Sequence, residues 1–124
     1  MLRIFFVGLG GFLGAIGRYA FSGLFYKILG TSFPYGTLFV NVTGSFFLGF
    51  FMTLAEERFL VNPEVRSFFA IGFLGAFTTF STFSYETMEL FRESSSLAAV
   101  NNIVANLFMG LVAVFLGMNL AKLL

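Results

Sequence analysis

Apolar positions fall into four long blocks, at 2–29, 35–55, 65–91 and 97–123, separated by short polar stretches. A helix needs about 20 residues to cross the hydrocarbon core of a bilayer, so each block predicts a transmembrane helix. The separators carry turn and charge chemistry. Thr31, Ser32 and Pro34 lie in the first, a charged run from Glu56 to Arg66 in the second, and serines at 92–96 in the third. Pro34 and Pro63 stand near helix starts, where a missing N–H costs little. The first block begins with Arg3 and then apolar residues, like a secretory leader. Its apolar pattern runs on to about Tyr26 with no small-residue cleavage site, which predicts a retained first helix.

The third block contains the strongest departure from apolar monotony: Gly72-Phe73-Leu74-Gly75-Ala76-Phe77-Thr78-Thr79-Phe80-Ser81-Thr82-Phe83-Ser84. Glycine weakens helices, and Ser and Thr can re-satisfy freed backbone groups within a membrane. Together they predict a break or kink near Gly75 to Thr79. A break frees carbonyls, which could hold a small cation if they converge. Phe80 and Phe83, three apart, share a helix face. Two readings stand at this point. The stretch lines a conduction path, or its small residues pack helix against helix.

The other blocks carry polar stripes too. In the first, Gly8, Gly10, Gly11, Gly14 and Gly17 form a small-residue face, with Gly10 and Gly14 as a GxxxG pair. Arg18 interrupts it, either as a functional charge facing protein or water or as a side chain snorkelling to an interface. In the second, Thr37, Asn41 and Ser45 follow at spacings of four and make one face. That face is a wet wall, or Asn41 is interhelical glue. In the fourth, Asn102 and Asn106 repeat the spacing. Glu86 and Glu89 end the third helix, and Glu86 is either a vestibule carboxylate or an interfacial one.

Composition narrows the class. Of 124 residues, 58% are hydrophobic and 10% charged, whereas soluble domains carry about a quarter charged. The chain is therefore an integral membrane protein, all-α, and residues 1–124 form a single four-helix domain. Net charge is +1 with no basic run, which gives no reason to expect nucleic-acid binding. Absence of Cys and His removes thiol chemistry and the commonest metal ligand. No nucleophile–base set suggests an enzyme. With four spans, Arg3, Arg58, Arg66 and Lys122 fall on one side and Lys27 and Arg92 on the other. That bias is slim for the positive-inside rule, so insertion in both orientations is open. Four helices enclose a pore poorly, and homo-oligomerisation is the natural remedy.

The groups at membrane depth are amides, hydroxyls and phenyl rings. No Asp or Glu lies deep in the first, second or fourth helix, which argues against carboxylate-based proton exchange and against acidic cation rings. Amide and hydroxyl donors suit anions, as does the positive edge of a phenyl ring. A narrow path of donors and ring edges would compensate a small, hard anion for its lost water. Residue chemistry alone points to a small-anion channel.

Gly14-Ala15-Ile16-Gly17-Arg18-Tyr19, Gly36-Thr37-Leu38-Phe39-Val40-Asn41, and Gly72-Phe73-Leu74-Gly75 with Thr79-Phe80-Ser81-Thr82-Phe83-Ser84 resemble the CrcB/Fluc fluoride channel family. The likeness covers three of the four helices in order, and length and layout agree. It implies a fluoride channel of the bacterial inner membrane, multi-pass, working as an antiparallel, dual-topology homodimer with two pores. It implies a third helix broken mid-membrane. The family's pore phenylalanines fall on Phe80 and Phe83 and its pore asparagine on Asn41, with Ser81 and Thr82 beside them. Asn102 and Asn106 would occupy the polar track of the fourth helix. A structural sodium ion (Na+) on the dimer axis would be held by main-chain carbonyls of Gly75 and Thr78 from both subunits. Arg18 matches the family's first-helix arginine, structural or at a vestibule, with Glu86 at a vestibule as well.

Two rivals remain at this stage. Small multidrug transporters also have four helices, but they need a membrane-embedded glutamate in the first helix, and this one has none. A non-conducting structural subunit would use the same small and polar residues only as glue.

Overall fold

A computed structural model describes all of residues 1–124. The chain is helical, without strands, and four of its helices are long and apolar enough to cross a membrane. These are α1 (Leu2–Leu29), α2 (Tyr35–Glu56), α3 (Pro63–Glu93) and α4 (Ser96–Lys122). The ends differ from the apolar blocks by a residue or two, because caps rather than hydropathy set them. The side chain of Asn62 accepts from Val65 N at the start of α3, with Pro63 in the first turn. Ser95 accepts from Ala98 N at the start of α4.

Small residues bring these helices together. α1 packs on the first half of α3, and α2 on the second half of α4. A Cβ added to Gly14 would stand 2.2 Å from the Phe73 carbonyl oxygen, and one on Gly10 2.1 Å from that of Phe68. Across the other pair, a Cβ on Gly117 would lie 2.1 Å from the Phe46 carbonyl oxygen and one on Gly49 2.5 Å from that of Val114. Backbone therefore meets backbone at both seams, the packing expected where lipid is as apolar as the side chains. Arg66 pairs with Glu56 at 2.7 Å and joins the ends of α2 and α3. Both side chains are exposed, so the pair adds little stability.

α3 and α4 are not uniform. Ser67–Leu74 and Ala105–Met109 are π-helical, wider turns that the glycine and hydroxyl pattern did not announce. Such turns often mark functional sites. Within α3, helix runs to Phe77 and restarts at Phe80. Between them Thr78 (φ −86°, ψ 157°) and Thr79 (φ −151°, ψ 115°) are extended. Gly75 itself is helical, with φ −62°. The protomer sets no steric demand for glycine there: a Cβ would meet nothing closer than the Ala70 carbonyl at 3.8 Å, on an exposed face.

Candidate functional site

Two extended residues within a membrane segment leave peptide groups that need partners. Asn41 on α2 supplies them. Its Oδ1 accepts from Thr79 N at 2.8 Å, and its Nδ2 donates to Thr79 O at 3.1 Å. One side-chain amide thus pairs with both backbone groups of one residue, as a neighbouring strand would. Gly44, one turn on, makes room: a Cβ there would lie 2.3 Å from Cγ2 of Thr78.

The second Nδ2 hydrogen of Asn41 goes to Oδ1 of Asn106 at 3.0 Å. Asn106 Nδ2 donates to the Asn102 side-chain and main-chain oxygens, both at 3.0 Å. Asn102 Nδ2 donates to Thr87 Oγ1 at 2.9 Å, and Thr87 donates to the Phe83 carbonyl at 2.7 Å. A hydrogen-bonded chain therefore runs from Thr79 through α2 and α4 back to α3. Asn102 and Asn106 are buried inside it. Every buried side-chain nitrogen and oxygen has a partner.

Thr79 has a second duty. Its Oγ1 accepts from Thr82 N at 3.2 Å and so caps the helix Phe80–Glu93. It also bonds Thr82 Oγ1 at 3.1 Å and lies 3.4 Å from Ser81 Oγ. The first turn of that helix begins at Phe80. It carries the positive end of the helix dipole and N–H groups without helical acceptors.

This start faces a groove of about 230 Å³ lined by Asn41, Ser45, Thr78, Thr79, Phe80, Phe83 and Asn106, together with Leu48 and Leu107. No carboxylate lines it. The rings of Phe80 and Phe83 lie 5.6 Å apart at 57°. Phe83 is buried, whereas Phe80 is 74% exposed on the protomer. Ser45 Oγ forms no hydrogen bond and is the free hydroxyl of the groove on α2. Of the expected site residues, the groove gathers Asn41, Phe80, Phe83 and Asn106, with Thr78 at its edge. Ser81 and Thr82 sit next to it on the capped turn, and Asn102 lies behind the wall.

Arg18 and Glu86 stand apart from the groove. Arg18 Nε donates to the Ala76 carbonyl at 3.0 Å, just before the extended pair. It meets no carboxylate. Glu86 accepts from the Tyr26 hydroxyl and from Thr37 Oγ1, which lie 3.0 Å from each other. It opens on a separate cavity of about 570 Å³ near the chain's Thr31–Ser32 turn. Thr37 thus serves Glu86, while Asn41 and Ser45 further along the same stripe serve the groove.

Sequence reasoning named Thr79 only as part of a motif and gave Thr87 and Tyr26 no role. The Thr79-x-x-Thr82 spacing at a helix start is a capping signal that could have singled out Thr79. Nothing local marks the bonds of Thr87 to Asn102 and of Tyr26 to Glu86, which span 15 and 60 residues.

A family model described as CrcB-like protein, Camphor Resistance (CrcB), matches residues 5–118. A protein of Dehalococcoides mccartyi named fluoride-specific ion channel FluC is 47% identical over 124 residues, all of this chain and 95% of its own length. One of Opitutus terrae with the same name is 50% identical over 114 residues, covering 90% of this chain and 86% of its own. One of Nitrosococcus oceani, again so named, is 42% identical over 122 residues, 98% of each. A model match across nearly the whole chain, with relatives aligned end to end over the same four spans, places this chain in the CrcB-like protein family.

Proposed function

We propose that this chain is a fluoride-selective ion channel that lets fluoride leave the cell passively, so protecting a bacterium from the ion. The name carried by its full-length relatives supports the substrate. The observation that carries the reading is the groove at Phe80. It joins a capped helix start, hydroxyls and two phenyl rings, with no carboxylate among them. Helix N-termini and ring edges both present positive potential. Fluoride, small and strongly hydrated, exchanges water for these groups along Ser45, Thr82, Ser81, Phe80 and Phe83.

In this reading Asn41 has a wall-building role, because both of its amide hydrogens are engaged. It holds Thr79 extended and so aims the helix start. Asn106 and Asn102 hold Asn41. Arg18, the one unpaired cation at membrane depth, raises the potential near the break from the far side. Glu86 belongs to a vestibule at one end.

The groove is open on one protomer, and Phe80 stands out from it. A second copy completes it: an antiparallel, dual-topology homodimer in the bacterial inner membrane, with one path on each side and α3 broken at mid-membrane. The two-fold axis passes the exposed face at Gly75. Two carbonyls there lack their helical donors. Thr79 N, which would close a turn on Gly75, bonds Asn41 instead, and Thr82 N, which would close on Thr78, bonds Thr79 Oγ1. Such carbonyls, doubled by a partner, fit a hard monovalent cation, and sodium would lock the two copies together at that point. It would supply charge and rigidity, with no part in moving the anion.

Efflux from liposomes tests the proposal. Purified protein is reconstituted, and fluoride and chloride electrodes are read in parallel. Rapid fluoride loss without chloride loss is expected. No fluoride loss from folded protein would leave the amide network as helix glue and overturn the channel.

A further inference from the structure

The basic end of the molecule holds a cavity that the ion path does not use. It measures about 320 Å³ and lies where α1 begins, α2 ends and α3 begins. Arg3 and Arg66 line it, with Ser67, Val61 and Ile71. Arg3 forms no hydrogen bond or ion pair in the protomer. Arg66 spends one nitrogen on Glu56 at 2.7 Å, and its guanidinium keeps its other donors. Ser67 Oγ donates to the Pro63 carbonyl at 2.9 Å, so the arginines are the cavity's free donors. No carboxylate lines the cavity, and Glu56, the one ion-paired with a lining residue, is held by Arg66. Glu57 sits 3.9 Å from Lys122 rather than from Arg3.

We infer that this cavity binds the phosphodiester of an anionic lipid, with Arg3 and Arg66 as its two clamps. Guanidinium forks match phosphate oxygens, and basic pockets between spanning helices suit acidic headgroups. A lipid is the source because of where the cavity lies. It opens at the ends of three spans, and Ile71 in its lining is 59% exposed on α3 while Ile4, next to Arg3, is 72% exposed on α1. A headgroup seated between the arginines therefore has apolar surface for its acyl chains alongside. Freely dissolved phosphate would gain only the headgroup half of that contact. Arg58 lies at the same end but outside the cavity, which separates a built site from a general basic surface.

Native mass spectrometry of the full-length protein, released from detergent after addition of phosphatidylglycerol, tests this. Wild type is expected to retain phosphatidylglycerol over phosphatidylcholine. Arg3→Gln should lower retention about fivefold, the worth of one arginine near a membrane surface. Arg3→Gln removes no hydrogen bond or ion pair of the fold, and an unchanged melting temperature would separate loss of retention from unfolding. Arg66→Gln should lower it too, and Arg58→Gln should not. Unchanged retention in Arg3→Gln, or an equal loss in Arg58→Gln, overturns the site. Displacement of the lipid by inorganic phosphate would overturn the lipid as occupant.

Discussion

Nδ2 of Asn41 donates to Oδ1 of Asn106 at 3.0 Å, tying the second span to the fourth beside the extended Thr78–Thr79 pair. That bond fixes the orientation of the Asn41 amide. With the amide flipped, oxygen would face the Thr79 carbonyl and nitrogen the Thr79 N–H. The Asn106 contact and the two Thr79 contacts therefore select the same orientation, and Thr79 in turn caps the helix that begins at Phe80.

Asn41→Asp should abolish fluoride efflux. A carboxylate keeps the acceptor for Thr79 N but faces the Thr79 carbonyl and Asn106 Oδ1 without a hydrogen to give. Each buried group left without its partner costs about 1–3 kcal/mol. Efflux assays with melting curves in detergent would check both effects. Wild-type flux in a wild-type fold would place Asn41 outside the path and its support.

Phe80→Ile and Phe83→Ile should both slow fluoride but differ in stability. Taking a ring edge on the anion to match an aromatic pair, about 0.5–1.5 kcal/mol, each loss should cost about two- to thirteenfold in flux. Phe83 is 7% exposed and its replacement should also lower the melting temperature, whereas Phe80 at 74% should not. Unchanged flux in both variants would remove the rings from the path.

Gly117→Ala should destabilise the protein by about 1–3 kcal/mol, the usual range for overpacking. The obstacle is the Phe46 carbonyl at 2.1 Å, which can recede only if α2 and α4 separate. Gly8→Ala is the control, since nothing lies within 4 Å of that Cβ. It should melt at or above wild type. Equal melting of the two variants would show that the seam is looser than the contact distances require.

Exchanging sodium for N-methylglucamine should weaken the association of two copies. If sodium binds only the assembled pair, stability should rise by about 1.4 kcal/mol per tenfold of sodium above its dissociation constant. Dimer fraction measured by crosslinking at several sodium concentrations would read this. A flat response would eliminate the cation from the Gly75 and Thr78 carbonyls.

The four spans were legible in the sequence because hydrocarbon imposes a length and an apolar composition on whatever crosses it. The α1 seam was legible in part for a related reason, that small residues let backbones approach within lipid: Gly10 and Gly14 pack on α3, but Gly8 of the same expected face meets nothing. The stripe Thr37, Asn41, Ser45 could be placed on one face from spacing alone. Its division of labour could not, because Thr37 serves Glu86 on α3 while Asn41 serves Thr79 and Asn106.

The sequence by itself thus determined a four-span membrane protein with neutral donors and phenyl rings in its interior. Only the tertiary structure decided which donors remain free. Asn41 reads along the chain as an anion donor, yet both its hydrogens are taken by groups 38 and 65 residues away. Ser45, one turn further, keeps its hydroxyl open to the groove. Hydrogen-bond satisfaction is a property of which helices meet and in what register. Spacing within one helix cannot reveal it.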